Sequence, residues 1–287
     1  MAGVRSAVNR LRIRSIGLAL LCGLLGVASS PAQPQDAIDI ANLGSNGACP
    51  FCNLRYADLS RKTLGAVDLH GAYLFGVNLE GADLVASHLG SAALFVANLK
   101  RADISYANLA RAKLHGAYLG GATAIGSVLV NAEFFGATLN AADLSKADAR
   151  TSQFFGASMS DLFAIKTDFT NADMRQVTAE RADFSDSLMS FVNFSRARLE
   201  GAKFLRTNLY HANFERATLA RATFRYAFLE FADFRHADLR GAVIDGSDLD
   251  RADFSDADLR GAALLNSSTH GARFCGATMP DGSKGRC

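Results

Sequence analysis

Large apolar residues recur at every fifth position along most of this chain, and the pattern is cleanest in Arg251-Ala252-Asp253-Phe254-Ser255-Asp256-Ala257-Asp258-Leu259-Arg260. A small residue stands two places before nearly every large one, the place between them varies, and the two places after are mostly polar, charged or Gly. The register holds from Cys49 to Met279 without an insertion or a deletion, through 47 consecutive centre positions of which 41 are Leu, Ile, Phe or Met. The exceptions are Cys49, Ala124, Ala149, Ala164, Ala179 and Thr269. A period of five fits neither the 3.6 of an α-helix nor the 2 of a strand. It fits a chain that turns a corner every five residues, with one large and one small side chain inward on each side.

The number of sides comes from the distribution of Phe. Every fourth centre from residue 134 on reads Phe134, Phe154, Met174, Phe194, Phe214, Phe234, Phe254, Phe274, while the neighbouring series Leu139, Met159, Ala179, Leu199, Leu219, Leu239, Leu259, Met279 has no Phe. A 20-residue period therefore sorts the core by wall and predicts coils of four sides. Each coil buries its inner face only against the next, which is the logic of a solenoid.

The A-[DN]-[LF] runs Ala57-Asp58-Leu59, Ala82-Asp83-Leu84, Ala107-Asn108-Leu109 and Ala232-Asp233-Phe234 resemble those of the pentapeptide-repeat family. The resemblance implies an all-β fold, a right-handed quadrilateral parallel β-helix. The repeats predict about twelve coils, stacked at the roughly 4.8 Å strand spacing. Each buried Leu or Phe centre contributes on the order of 1.5–3 kcal/mol relative to exposure.

Four segments follow in chain order. Residues 1–32 read as an export signal: Arg5, Arg10, Arg12 and Arg14 precede an apolar run from Ile16 to Val27, with small residues and Pro31 after it. The run is short for a bilayer span, so a cleaved signal is favoured over an uncleaved anchor, and Leu21 before Cys22 argues against a lipoprotein site. Residues 33–48 read as an N-terminal capping segment, with a short helix from Asp36 to Gly44 that covers the open strand edge; a leader without structure is the alternative. The β-helix occupies 49–279 and a C-terminal cap 280–287.

Four cysteines remain after the signal, two at each end of the repeats. A disulfide needs Cα atoms about 4.4–6.8 Å apart, so a stack of about twelve coils allows only Cys49 with Cys52 and Cys275 with Cys287. Clasps of this kind need an oxidising compartment, and closing the terminal loop contributes about 3 kcal/mol. Free buried thiols and redox chemistry are the other readings. The terminal Cys arrangement is also similar to that of exported bacterial members of the family. Periplasmic or extracellular location is the expectation, with no stable membrane span after signal cleavage.

Two irregularities interrupt the repeat. Between 124 and 179 the centre is Ala four times; Leu162 and Val177 in small slots compensate for Ala164 and Ala179, whereas Ala124 and Ala149 have no such neighbour. Looser packing or a bend is expected there. Directly after one series of centres stand Phe75, Phe95, His115, Phe135 and Phe155, one coil apart. Exposed apolar stripes of this kind mark docking surfaces, although corner rings that only stack on one another would give the same pattern.

Candidate chemistry is sparse. His70, His88, His115, His211, His236 and His270 fall on different coils, and there is no phosphate loop or nucleophile elbow. No catalytic residue, cofactor or metal site is therefore expected. Past residue 48 the chain carries 26 basic and 26 acidic residues. Some pentapeptide-repeat proteins resemble B-DNA and occupy the DNA site of type II topoisomerases, but a neutral rod lacks the charge that phosphate mimicry needs. A nucleic-acid partner is not expected either. The leading reading is a non-enzymatic exported scaffold that binds a protein partner or itself. An envelope enzyme acting on carbohydrate is the alternative, although no insertion exists to build its groove.

Overall fold

The computed structural model describes Leu43 and residues 47–287; the expected export signal and most of the expected capping segment lie outside the described residues. Parallel bridges join each residue before a centre to the one twenty places on, from Ala48↔Asp68 through Asp83↔Asp103 to Asp258↔Thr278. The chain winds as a right-handed, four-sided parallel β-helix. On the wall that carries Phe204 the bridges lengthen into three-residue strands, β1 (Lys203–Leu205), β2 (Thr223–Arg225), β3 (Val243–Asp245) and β4 (Ala263–Leu265), paired in parallel in that order.

One repeat shows how the backbone is satisfied. Asp83 N–H donates to Lys62 O at 2.9 Å in the coil before, while Leu84 N–H donates to Asp103 O at 2.7 Å and Ala86 N–H to Ser105 O at 2.9 Å in the coil after. Ser87 N–H closes the corner onto Leu84 O at 3.1 Å. Such a corner puts its third residue in the left-handed region, a type II geometry that favours Gly. Ala86 (φ 57°), Arg101 (φ 55°) and Tyr106 (φ 57°) adopt it nonetheless. Side chains at these positions cost stability locally, and burial and the ladder offset it.

Inside, the centres and the small slots form one continuous core. Phe134 and Phe154 stack at 4.7 Å, and Phe214, Phe234 and Phe254 at 4.9 and 4.7 Å, with planes within 7° of parallel. A second Phe series, Phe184, Phe204 and Phe224, stands on the opposite wall and meets the first edge-on: Phe204 to Phe214 at 5.9 Å, Phe224 to Phe234 at 5.8 Å.

The Ala-centred middle is not opened to solvent. Ala124, Ala149, Ala164 and Ala179 are buried, as are Leu162 and Val177 in their small slots. The ladder passes unchanged through Thr123↔Asp143 and Phe163↔Asp183. Three of the four Ala centres stand across the tube from a Phe: Ala124 from Phe134, Ala164 from Phe154 and Ala179 from Phe169. Volume is conserved across the lumen as well as between neighbouring slots. At the remaining centre, Ala149, the Ser152 hydroxyl donates to the Ala149 carbonyl at 2.5 Å.

Both ends carry cysteine pairs at disulfide distance, Cys49 with Cys52 (Cα to Cα 5.4 Å) and Cys275 with Cys287 (4.3 Å). Residues 280–287 fold back, with Thr278 and Lys284 bridged antiparallel. Of the expected capping helix, Leu43 is helical and buried in the core. No helix among the described residues is long and apolar enough to cross a membrane.

Candidate interaction groove

Three of every five residues face outward, and those twenty apart lie above one another, so each corner is a lane along the tube. Along several lanes a large side chain leans over the next coil's corner, where Gly leaves it room. A Cβ on Gly76 would meet the Tyr56 ring at 2.8 Å, and one on Gly71 the Phe51 ring at 2.5 Å. Tyr106 over Gly126 and Tyr226 over Gly246 repeat the arrangement. Elsewhere a lane holds ion pairs, as in Arg181 with Asp161 (2.7 Å) and Arg206 with Asp186 (2.6 Å).

The predicted stripe occupies one lane, and its members differ. Phe75 and Phe155 are exposed, at 37% and 36%, whereas Phe95, His115 and Phe135 are half-buried. The His115 ring meets Phe95 and Phe135 edge-on at 4.9 and 4.8 Å, and its Nε2 lies 2.5 Å from the Glu133 carboxylate. The middle of the stripe is thus an interlocked stack. Its ends are open, and a guanidinium marks the far one, Arg175 over Phe155 at 5.6 Å.

At the near end the stripe becomes one wall of a shallow groove of about 750 Å³. Phe51, Tyr56, Tyr73, Phe75 and Phe95 line it, and Arg55 lies over the Tyr73 ring at 5.3 Å. Arg55 and Lys113 are the charged groups of the lining, and no carboxylate is among it. Phe51, Tyr56 and Tyr73 are new relative to the sequence expectation; the signal for the first two was an aromatic residue with Gly twenty places later.

A second exposed aromatic cluster was also absent from the sequence expectation. Phe191, His211 and Phe231 stack in one lane at 5.2 and 4.7 Å, with Arg251 over Phe231 at 5.2 Å. Leu188 and Phe228 stand exposed on the adjoining wall. Next to them a cleft of about 500 Å³ is lined by Phe231, Glu230, Asp248, Asp250, Arg251 and His270.

Carboxylates before the centres serve the frame. Each aspartate there accepts the N–H two residues on and, where that residue is Arg, its guanidinium: Arg240 donates to Asp238 at 2.7 and 2.8 Å, and Arg260 to Asp258 at 2.6 and 2.9 Å. Those guanidinium bonds hold the Asp238 and Asp258 carboxyls below the usual range and raise both arginines. Among the described residues, no three His, Cys, Asp or Glu side chains are grouped as a metal site.

The repeat, its four-sided winding and its corner lanes coincide with a match to the family of Pentapeptide repeats, over residues 52–90 and then in overlapping copies across 97–281. The chain belongs to the pentapeptide-repeat family. Solved pentapeptide-repeat structures similar to it include HetL, involved in heterocyst differentiation regulation in the cyanobacterium Nostoc sp. strain PCC 7120. HetL is 26% identical over 85% of this chain and 97% of its own, with a TM-score of 0.35. QnrB1, a plasmid-mediated fluoroquinolone resistance protein, is 23% identical over 66% of this chain and 92% of its own, with a TM-score of 0.29. A pentapeptide-repeat protein of the Arabidopsis thaliana thylakoid lumen is 27% identical over 37% of this chain and 59% of its own, with a TM-score of 0.19. No curated protein matches this pentapeptide-repeat chain.

Proposed function

We propose that this chain is an exported, non-enzymatic interaction module whose rigid tube presents the aromatic groove at its N-terminal coils to a protein partner. The observation that carries the reading is the groove itself: exposed Phe51, Tyr56 and Tyr73 around Arg55 and Lys113, with no carboxylate in the lining. Aromatic anchors with basic groups at their edge are the composition of binding hot spots. A groove without a carboxylate has no acid and base pair for glycoside hydrolysis. The near-neutral repeats, 26 basic against 26 acidic residues past position 48, speak against a DNA mimic. Export is supported by the composition of residues 1–32 and by the two terminal cysteine pairs, which suit an oxidising compartment.

Two measurements test the reading. Intact mass of the protein recovered from cells should show cleavage after one of the small residues that follow the apolar run, Ala28 or Ala32, and two disulfides; a full-length, fully reduced chain contradicts export. Immobilised mature chain should retain a partner from an envelope fraction, and Tyr73→Ser with Phe75→Ser should abolish that retention while the melting temperature stays close to wild type. Unchanged retention with a large fall in melting temperature would make the aromatic wall purely structural.

A further inference from the structure

The two aromatic clusters carry opposite charge. The N-terminal groove holds Arg55 and Lys113 and no carboxylate, and neither cation has an ion-pair partner among the described residues. The C-terminal cleft sets Glu230, Asp248 and Asp250 against Arg251 and His270, with the exposed Phe228 and the Phe231 stack beside it. Glu230 and Asp248 likewise have no ion pair among the described residues. The imbalance extends to the coils around each site: residues 49–131 carry seven basic and five acidic side chains, and residues 228–271 four basic and nine acidic.

We propose that this chain self-associates head to tail, the Arg55 and Lys113 groove of one copy receiving the Phe228, Phe231 and Glu230 surface of a second copy. The proposal rests on the groove being a docking surface and names its occupant. Aromatic side chains on both surfaces supply apolar area that singly exposed residues on a monomer do not need to present together. Opposite charge then selects this pairing over groove with groove or cleft with cleft, because like charges across an interface are costly. The two surfaces differ, so the contact is heterologous: each copy in a pair keeps one surface open, and association continues into a ring or an open chain. Exposed charges act within about 8 Å at physiological ionic strength, so they steer and select while the rings hold.

The test uses the mature full-length chain in sedimentation velocity over a wide concentration range at low and high salt. Wild type should show concentration-dependent assembly that weakens at high salt. Arg55→Glu with Lys113→Glu, and separately Glu230→Lys with Asp248→Lys, should each weaken assembly by about tenfold or more, with circular dichroism unchanged. Mixing the two variants should restore assembly, since each supplies the surface the other now matches, and one chain carrying all four reversals should again assemble alone. A wild-type chain that stays monomeric throughout, or assembly that survives either pair of reversals, overturns the proposal. If the monomer still retains a different protein through Tyr73 and Phe75, the docking reading stands and only the identity of the occupant fails.

Discussion

Between residues 54 and 119 every centre is Leu or Ile, whereas between 184 and 254 two opposing walls carry Phe and the other two mainly Leu. The backbone hardly registers the change: Leu94 N–H donates to Lys113 O at 2.8 Å in the first region and Phe234 N–H to Asp253 O at 2.7 Å in the second. Rings one coil apart stack at 4.7–5.4 Å, close to the strand spacing, so a Phe wall fits the coil rise without displacing it. Edge-on meetings between the walls close the centre. The ladder sets the frame, and side-chain volume is balanced within each coil against it.

The polar surface differs along the same division. Among the described residues, Arg to carboxylate pairs begin at Asp148 with Arg150 and continue to Arg273 with Asp253. Hydroxyls in small slots also change role. In the later coils Thr207 Oγ1 donates to Phe184 O at 3.0 Å and Ser247 Oγ to Phe224 O at 3.2 Å, while Ala227 N–H donates to Ser247 Oγ at 3.1 Å. The hydroxyls thus link successive coils at the corner that follows β1 to β3. In the earlier coils Ser87 Oγ is buried and has no hydrogen-bond partner.

Emptying one centre in each region should separate the two cores by the largest margin. Phe214 stacks on Phe194 and Phe234 and meets Phe204 and Phe224 edge-on. Phe214→Ala should cost about 3–5 kcal/mol, the upper part of the large-to-small range, and Leu94→Ala about 2–3 kcal/mol. Guanidinium denaturation measures both; equal costs would mean that the Phe wall adds nothing beyond a Leu wall. A smaller effect separates the hydroxyls. Thr207→Val should lose about 1 kcal/mol by orphaning a carbonyl, whereas Ser87→Ala should be neutral or gain up to about 1 kcal/mol by removing an unpaired buried group. Opposite signs are the expected result, and a loss at Ser87 would reveal a partner for its hydroxyl.

Acid gives the smallest effect and tells the two regions apart. Guanidinium bonds hold Asp148, Asp238 and Asp258 below the ordinary carboxylate range. A depressed carboxyl contributes stability that is fully present above its unfolded value near 3.9 and is lost as pH falls through the folded value. Lowering the pH below about 4 should therefore loosen the C-terminal coils before the N-terminal ones. These pairs are exposed, so salt should reduce the difference. Limited proteolysis at pH 3 and pH 7 reads it, and preferential cleavage before residue 120 in acid would contradict the assignment.

Much of the frame was legible in residue order alone, because the period of five and the sorting of Phe at twenty follow directly from which side chains a coil buries. The second Phe wall, Phe184 to Phe224, lies ten residues out of phase with the first and is obscured by Ala124, Leu144 and Ala164 in the same series. Ala124 has no large residue in a neighbouring slot of the chain, and the Phe that stands opposite it, Phe134, is ten residues away across the tube. The stripe was legible as spacing, but the interlocking of His115 with Glu133 depends on a wall residue eighteen places away. Phe51 and Tyr56 do not stand out in the sequence, because a corner residue's exposure depends on the Gly of the next coil, a relation that exists only between residues twenty apart.

Amide hydrogen exchange resolved by residue reports on the ladder itself. Outside the last coil the centre amide bonds to the next coil, as Leu84 and Leu239 do, while the amide after it turns to a side chain where an acceptor is in reach, as Val85 does to Asp83 and Arg240 to Asp238. Exchange should be slow at centres and fast one residue later, repeating every five residues with the same phase in the Leu-cored and Phe-cored coils. Loss of that phase in either region would show that core composition, and not the ladder, determines the winding.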